Sequence, residues 1–348
     1  MKKLVFLLFL SLVTLRTSAQ TLTVAALRAL SSPQANAVYQ TNDYGGGQWY
    51  YDASDTSTPD NLGTVLVSST AGGRYKRIYN KFLDTRWFGT QGDGVTDDKL
   101  TIQATFDAAK KLKKAVLFAA GTYLISTAVT PPDSTEIYGV GRTRSVIRLK
   151  NDMNSFVIYK RTGSNIYLHD LCFDSGTNKN TQWLANGIAL DGVTDVKITD
   201  CEFKNSRQTI WLNGDAGNPA RIYIAHNEFN TVQDFALRAK EGIPTQVVFA
   251  HNHVTDVTWS RDTNMTATAV TYSGKYGQFI GNQIDHSYDT AFIIQGTSCS
   301  DNLIQSNQIH TRLVGIFTGT GTRRSNITGN NIQSDSDFAV HVQDLKQS

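Results

Sequence analysis

Apolar and polar residues alternate along short segments of the chain, and from residue 165 onward one such segment recurs. The last apolar residues of the aligned segments follow one another at intervals of 23 to 30 residues: Phe173, Phe203, Phe229, Val254, Ile284, Ile309 and Ile332. A second alternating segment, such as "GIALDG" or "TIWLNG", lies between them. A period of two is typical of half-buried strands, and no helical period separates the segments. An all-β repeat of about 25 residues predicts a solenoid of stacked coils.

An asparagine column supports this prediction. Two positions before the aligned apolar residue stand Asn227, Asn252, Asn282, Asn307 and Asn330. Stacked strands lie about 4.8 Å apart, so these amides can hydrogen-bond from coil to coil and satisfy the backbone at each bend. We therefore interpret the column as scaffold. The predicted fold is all-β, a right-handed parallel β-helix solenoid, with the handedness taken from the general rule for parallel crossovers.

The stretch "FGTQGDGVTDDKLTIQATFDAAKK" places three aspartates, Asp93, Asp97 and Asp98, in a glycine-rich turn. Paired carboxylates suit acid/base chemistry, but apolar residues follow this turn at helical spacing. Asp97 or Asp98 is therefore expected to be the N-cap of a helix, with Gly92 and Gly94 permitting the turn before it. We predict that this N-terminal capping helix covers the first coil, whose strand edge would otherwise be open.

That stretch, followed by "VLFAAGTYLI", resembles the start of the rhamnogalacturonase/epimerase-like pectate-lyase superfamily, which includes relatives of family 28 glycoside hydrolases. The resemblance runs from about Phe88 through the coils and implies the β-helix fold. The superfamily contains hydrolases, lyases, epimerases and tail-spike proteins, so the resemblance does not choose a reaction. The NTD, GDD, GHG and RIK elements of polygalacturonases do not appear in order, which argues against pectin hydrolysis. The segment "IDHS" is similar to a pectate-lyase motif, although we expect its Asp285 and His286 to be surface residues.

Three regions follow from these patterns. Residues 1–19 read as a secretory signal peptide with a basic start, a short apolar run and small residues before Gln20. Residues 20–87 form a small β-rich module that includes the aromatic residues Trp49, Tyr50, Tyr51 and Tyr75, for which a packed mini-core is favoured and glycan binding is the alternative. The module is similar to those that precede β-helices in some tail-spike-like proteins. Residues 88–348 form the β-helix domain.

Charge and cysteine content narrow the function. The formal charge of +3 lies in the leader, and without it 30 basic residues face 30 acidic ones. No global basic field favours nucleic acid, and the leader's apolar run is too short to span a bilayer, so we expect a protein that is secreted, periplasmic or on the cell surface. Three cysteines, Cys172, Cys201 and Cys299, cannot form a full disulfide framework and are expected to be buried.

A cleft is predicted from two insertions. Most corners after the aligned apolar residue are brief, but "DSGTNKNTQWLAN" follows Phe173 and "TDVTWSRDTNMTAT" follows Val254. Because both leave the same corner three coils apart, they would bracket the two coils between them. The loops contribute predicted substrate-binding residues, namely Trp183, Trp259, Arg261 and Asp262.

The floor of this cleft is predicted from the flanking strands. Neighbouring coils place Glu202, Glu228 and His253 in one outward column. Beyond the corner come Arg207, Asp234, Trp211, Arg238 and Lys240. Aromatic faces beside charged groups suit sugar rings, which need apolar stacking and bidentate hydrogen bonds. The alternative interpretation is a solvated face with cross-strand pairs.

We therefore predict an exported enzyme that degrades a polysaccharide. For hydrolysis, Glu228 is the expected acid, with Asp234 or Glu202 as base or nucleophile, because one of two stacked carboxylates retains a proton. For elimination, Arg238, Lys240 or Arg207 would neutralise a uronate and His253 or a basic side chain would remove the adjacent proton. The alternative is a non-catalytic glycan-binding or structural protein. No cofactor is expected, although calcium stays an open alternative, as does a homotrimer.

Overall fold

The computed structural model describes residues 21–35, 37–176, 185–239, 242–258, 267–336 and 338–343. The chain separates into two compact units, one ending at Ile78 and the other holding Asn61–Thr64 and everything from Tyr79 onward. The predicted boundary lay at residue 87, whereas the parallel strands of the second unit already begin at Phe82.

The first unit is a small sheet packed on one short helix. Its strands pair in the order β1-β2-β3-β5-β4. They are β1 (Thr21–Leu22), β2 (Val38–Thr41), β3 (Gly47–Asp52), β4 (Val65–Val67) and β5 (Arg74–Ile78), with helix α1 (Val24–Arg28) after β1. Trp49, Tyr51 and Tyr75 are buried in its core and Tyr50 is exposed. Trp49, Tyr51 and Tyr75 thus belong to a mini-core.

The second unit is a parallel solenoid of short strands. Helix α2 (Lys99–Leu112) and a 3₁₀ turn (Thr85–Phe88) lie near its start. The strands are β6 (Phe82–Asp84), β7 (Asp93–Asp97), β8 (Ala115–Phe118), β9 (Gly121–Ile125), β10 (Thr135–Gly139), β11 (Ser145–Leu149), β12 (Ser155–His169), β13 (Cys172–Asp174), β14 (Ala185–Thr199), β15 (Glu202–Asn213), β16 (Ala220–Ala225), β17 (Glu228–Ala239), β18 (Thr245–Ala250), β19 (His253–Val254), β20 (Thr268–Tyr272), β21 (Gln278–Ile280), β22 (Gln283–Ser287), β23 (Thr290–Ile294), β24 (Leu303–Gln305), β25 (Gln308–Thr311), β26 (Val314–Thr318), β27 (Asn326–Thr328), β28 (Asn331–Ser334) and β29 (Phe338–Val342).

Each coil has three strand segments, here named A, B and C in chain order. In one coil they are β16, residues 228–232 and residues 235–239, the last two joined within β17. Segments of one type pair in parallel with the same type in the next coil, so A, B and C segments form three sides of the solenoid. Outward-facing side chains on each side therefore form columns along the solenoid axis.

The predicted register is confirmed. The aligned apolar column runs through directly paired residues of the B side, from Phe173 to Ile332. Phe173, Phe203 and Phe229 are fully buried, and their rings stack at centroid distances of 5.3 and 4.9 Å. Period-two alternation produces this core, because every second side chain of a strand points inward.

The asparagine column forms a hydrogen-bonded ladder at the corner between the A and B sides. Each side-chain oxygen accepts the backbone N–H of the residue at the same position one coil earlier. This residue is Cys201 for Asn227 at 2.9 Å, Asn227 for Asn252 at 3.0 Å and Asn252 for Asn282 at 3.0 Å. The side-chain nitrogens donate to backbone carbonyls and to the next amide. The scaffold interpretation of this column is therefore supported by its contacts.

The three aspartates before α2 bind the backbone of their own turn. The buried Asp98 accepts from the N–H groups of Gln91 (2.7 Å) and Gly92 (2.9 Å), and Asp97 accepts from Lys99, the first helical residue, at 3.1 Å. Gly92 has a φ of +63°, which favours glycine. Asp98 occupies the N-cap position but its carboxylate points back into the turn. That α2 covers the open end of the first coil stays a prediction.

The three cysteines are free and buried, as predicted. Burial raises the pKa of the Cys172 thiol to about 12, which keeps it protonated and unreactive. Within the described part of the chain, no helix is long and apolar enough to cross a membrane. The predicted signal peptide lies outside the described residues.

Candidate functional site

The two predicted insertions leave the same corner of the solenoid. Phe173 and Val254 belong to one column, three coils apart, with Phe203 and Phe229 between them. Residues 177–184 and 259–266 lie outside the described residues, and with them the predicted contacts Trp183, Trp259, Arg261 and Asp262. Lys240 is likewise outside them.

The column of Glu202, Glu228 and His253 exists on the B side, where the three residues pair directly across successive coils. Glu228 sits between two cationic partners. One carboxylate oxygen accepts from Arg142 at 3.2 Å and the other contacts Nδ1 of His253 at 2.9 Å. Nε2 of His253 contacts Asp285 at 2.6 Å. The four side chains thus form a connected chain along the surface.

His253 is the titratable centre of this chain. Partial burial alone would lower its pKa, but the hydrogen bonds and negative charges of Asp285 and Glu228 outweigh that effect and raise the pKa above its usual 6.5. The pKa of Asp285 is lowered, because the hydrogen bonds of His253 and Gln283 outweigh the opposing effect of burial. The raised pKa means that the imidazolium form, which lies between two carboxylates, persists to higher pH than in a free histidine, and this form donates protons rather than accepting them.

Glu202 is mostly buried, with its carboxylate already bonded. It contacts the Lys204 ammonium at 3.0 Å and accepts from the Asn230 amide at 2.8 Å. Only 8% of the residue is exposed. A group held in this way is a poor nucleophile, since attack on a sugar would require it to leave both partners.

Asp234 requires a correction. We expected a base at the surface, but the residue is 0% exposed and forms an ion pair with the Nε of Arg207 at 2.6 Å. Arg207 itself is 8% exposed, so it does not face a substrate either. A buried pair persists because each charge compensates the other's desolvation. The two residues connect neighbouring coils at the B–C corner and do not belong to the exposed floor.

The C side carries a cluster of aromatic side chains, of which the sequence predicted only some members. Tyr159, Ala189, Trp211 and Arg238 form one outward column on four successive coils. Phe156 lies against both Tyr159 (6.0 Å between centroids) and Trp211 (5.9 Å). The Arg238 guanidinium lies 5.5 Å from the Trp211 ring centroid, at cation–π distance.

Phe156, Tyr159, Trp211 and Arg238 are partly exposed and lie on the side that follows the corner from which the two insertions leave. Ala189, the small residue between Tyr159 and Trp211, is 2% exposed. Phe156 and Tyr159 were not predicted, because they lie before the recognised repeats and resemble any other alternating strand. Trp211 and Arg238 were predicted, on the opposite side of the corner from Glu228.

The predicted constellation therefore divides into two groups. Glu228 and His253 lie at the start of the B segments, near Arg142, whereas Trp211 and Arg238 lie in the C segments after the bend. The buried Arg207–Asp234 pair stands at the bend between them. Among the described residues, no cluster of three or more histidine, cysteine or carboxylate side chains has the arrangement of a metal site.

The solenoid, with ladders inside and an aromatic surface outside, defines a protein of the pectate-lyase-like class. Residues 82–336 match the family described as "Rhamnogalacturonase A/epimerase, pectate lyase-like". The chain belongs to this family, which confirms the resemblance seen in its sequence. Residues 20–80 match a second family, "Phage tail protein small four-stranded beta-sheet domain".

Similar proteins include a curated enzyme and two solved structures. Mannuronan C5-epimerase AlgE4 of Azotobacter vinelandii is 32% identical over 114 residues, which is 29% of this chain and 20% of the relative. The tailspike protein gp49 of Acinetobacter baumannii bacteriophage Fri1, a capsular polysaccharide depolymerase, has a TM-score of 0.54 at 13% identity, covering 95% of this chain and 76% of that one.

The catalytic unit of an alpha-1,3-glucanase from Streptomyces thermodiastaticus has a TM-score of 0.52 at 13% identity, covering 89% of this chain and 72% of that one. At these identities the structures establish the fold. The chain spans only 14 to 20% of the length of the first curated relatives it matches.

Proposed function

We propose that the protein binds a polysaccharide along its C side and cleaves it there. The observation that carries the proposal is the column of Tyr159, Trp211 and Arg238, completed by Phe156, beside the corner of the two insertions. Half-exposed aromatic rings offer the apolar faces of sugars a stacking surface. An arginine in the same column offers a bidentate partner to a carboxylate or a pair of hydroxyls.

The position of Arg238 favours an acidic polysaccharide. Its guanidinium is held against Trp211, so a uronate carboxylate can meet the cation while the sugar ring meets the indole. In elimination, neutralising that carboxylate acidifies the adjacent C–H, and a basic side chain takes that proton. A C=C bond then forms in the sugar, the C–O bond to the leaving sugar breaks, and the leaving oxygen takes up a proton without addition of water. Lys240 and the insertion residues Trp183, Trp259, Arg261 and Asp262 stay predicted partners in this reaction.

The test is mass spectrometry of products after residues 20–348 are incubated with alginate, polygalacturonate, dextran and xylan. Products without added water and with an unsaturated end indicate elimination, and products with one added water indicate hydrolysis. We expect Trp211→Ala to weaken binding about 2- to 12-fold, the range for one aromatic contact. Arg238→Gln should weaken binding of the acidic polysaccharides about tenfold and leave binding of the neutral ones unchanged.

Arg324→Gln is the matched control, since Arg324 is an exposed arginine paired with Asp301 on another part of the solenoid. If none of the four polysaccharides is bound or cleaved, or if Arg324→Gln is as harmful as Arg238→Gln, the C-side assignment is refuted. Binding of a polysaccharide with unchanged chain length and composition supports the non-catalytic alternative.

A second candidate centre is the B-side chain of Arg142, Glu228, His253 and Asp285. The observation in its favour is that His253 bridges two carboxylates. To donate a proton to a leaving sugar oxygen, the imidazole would first release Glu228 or Asp285. Glu228→Gln keeps the shape of the side chain and removes its charge. Lost turnover with retained binding would assign catalysis to this chain, while unchanged turnover would leave it a structural network.

The remaining parts of the proposal concern location and assembly. The leader at residues 1–19 favours export, and N-terminal sequencing of the secreted protein would test cleavage before Gln20. A homotrimer is testable by sedimentation. Retention of the Met1 terminus in the exported protein would contradict the leader.

A further inference from the structure

The A side carries a second row of rings, which the site above does not use. It runs along the solenoid axis over at least two neighbouring outward columns, one with Tyr138 and His169 and the other with Tyr167, Lys197 and Tyr223. Its members, here called the A-side row, are Trp87, Phe82, Tyr138, His169, Tyr167, Lys197, Tyr223 and Tyr276. The A and C segments are separate parts of every coil, so this row is a different surface from the C-side column.

The first half of the row is a continuous series of ring contacts. Phe82 stacks on Trp87 at 6.3 Å and meets Tyr138 edge-on at 6.3 Å. Tyr138 stacks on His169 at 5.3 Å with an interplanar angle of 5°, and His169 stacks on Tyr167 at 4.3 Å. These rings are partly exposed, so each keeps some surface open to solvent.

A lysine continues the row. Tyr167, Lys197 and Tyr223 pair directly on three successive coils. The Lys197 ammonium lies 4.6 Å from the Tyr167 ring centroid and 6.0 Å from that of Tyr223. The exposed cation therefore sits between two rings, at the spacing of one coil from each.

The row ends in a groove of about 520 Å³. Tyr223 and Tyr276 line it and are 37% and 53% exposed. The amide side chains of Gln246 and Gln278 and the apolar Val248 line it as well. Rings for stacking and amides that both donate and accept hydrogen bonds are combined in one concave surface.

The composition of the row distinguishes between classes of ligand. A protein interface is centred on a broad apolar patch from which charged residues are depleted. Here the rings lie in neighbouring columns that also carry charge, since Glu136 and Lys197 occupy the same outward column as Tyr167 and Tyr223. Such alternation of aromatic and polar groups matches a chain of sugars, whose ring faces are apolar and whose edges carry hydroxyls.

We infer that the A-side row binds an extended polysaccharide chain that lies parallel to the solenoid axis, with its tightest contact in the groove of Tyr223 and Tyr276. The inference uses no residue of the C side and does not depend on cleavage. A protein with both surfaces would hold polysaccharide at a place remote from the one where it cleaves.

Hydroxyl-radical footprinting of residues 20–348, read by mass spectrometry, tests this inference. Alginate, polygalacturonate, dextran and xylan are the probes. At least one of them is expected to suppress oxidation of Tyr223 and Tyr276. The double variant Tyr223→Ala with Tyr276→Ala should weaken binding of that polysaccharide about fivefold or more, the range for two aromatic contacts. Tyr44→Ala, an equally exposed tyrosine of the first unit, is the control and should change nothing.

The outcomes separate this inference from the C-side proposal. Protection of Tyr223 and Tyr276 that persists in Trp211→Ala supports the A-side row whatever the fate of the C side. Protection confined to Trp211, or no protection with any of the four polysaccharides, overturns it. Protection that appears without polysaccharide and grows with protein concentration also overturns it, because a second copy of the chain would then cover the row.

Discussion

Replacing Asn282 by alanine should destabilise the solenoid more than any conservative surface change. The residue is 1% exposed. Its oxygen accepts from the backbone N–H of Asn252 at 3.0 Å, and its side-chain nitrogen donates to the Phe249 carbonyl at 2.8 Å and to the oxygen of Asn307 at 2.9 Å. Alanine leaves the Asn252 N–H and the Phe249 carbonyl without these partners at a buried corner.

The expected loss of unfolding free energy follows from the cost of leaving buried polar groups without hydrogen-bond partners. A buried donor without a partner costs about 1–3 kcal/mol, and a carbonyl with a second lone pair costs less. We expect a loss of about 2–4 kcal/mol, which is a large part of the stability of an ordinary domain. The assay is urea unfolding followed by circular dichroism, with the midpoint and the slope fitted separately.

Asn330→Ala is the matched control at the last rung of the ladder. Asn330 makes comparable bonds to Asn307 (3.0 Å) and to the Ile304 carbonyl (2.9 Å), but it is only partly buried. Water can replace its amide, so we expect a loss of about 1 kcal/mol or less. Equal losses at Asn282 and Asn330, or a shift of the slope without a shift of the midpoint, would refute the reasoning.

Three further predictions concern the titration of His253, the hydrogen bonds of Asp98 and the ion pair of Asp234. Because its folded-state pKa is raised, His253 stabilises the protein fully below its unfolded-state value near 6.5, and this stabilisation is lost as pH rises through the folded-state value. Urea midpoints should therefore fall more between about pH 5.5 and about pH 8.5 in the wild type than in His253→Gln. Asp98→Asn should cost about 1–3 kcal/mol, since an amide cannot accept both backbone bonds, and polysaccharide cleavage by the folded fraction should be unchanged; lost cleavage would make the aspartate turn part of the site. Asp234→Asn should cost about 3–5 kcal/mol by removing the carboxylate charge that pairs with the buried Arg207, and Arg207→Met with Asp234→Leu should recover most of it; no recovery would contradict the ion-pair explanation.

The fold was predictable from the sequence because the residues that determine it, the buried apolar position and the asparagine of the ladder, recur in successive coils. An inward position that recurs every coil, as at Phe203, Phe229 and Val254, is visible as a period in the sequence. The ladder of Asn252 and Asn282 is visible for the same reason. The coils before residue 165 do not show this repeat clearly. They were recognised mainly through their resemblance to a known family.

The positions of the candidate site residues were predictable only where the pairing register between coils could be counted from the sequence. The column of Glu202, Glu228 and His253 follows from counting residues, but burial does not. Asp234 lies past a bend at which the pairing between β15 and β17 shifts, between Ser206 and Gln208. Beyond this shift the alternation of inward and outward positions cannot be continued by counting. That is why a predicted surface base proved to be a buried ion-pair partner.

The same physics indicates where function belongs in this molecule. Interior columns must repeat one kind of residue, because each coil packs on the next and a single odd side chain would leave a cavity. Outward columns carry no such constraint. On the C side the column changes from tyrosine to alanine, tryptophan and arginine on four successive coils, at Tyr159, Ala189, Trp211 and Arg238. Packing does not require that series, and Ala189 leaves room for Phe156 to meet the rings on both sides. This varied series is the basis on which we propose the polysaccharide contact on the C side, since a scaffold alone would have tolerated any polar residue at each position.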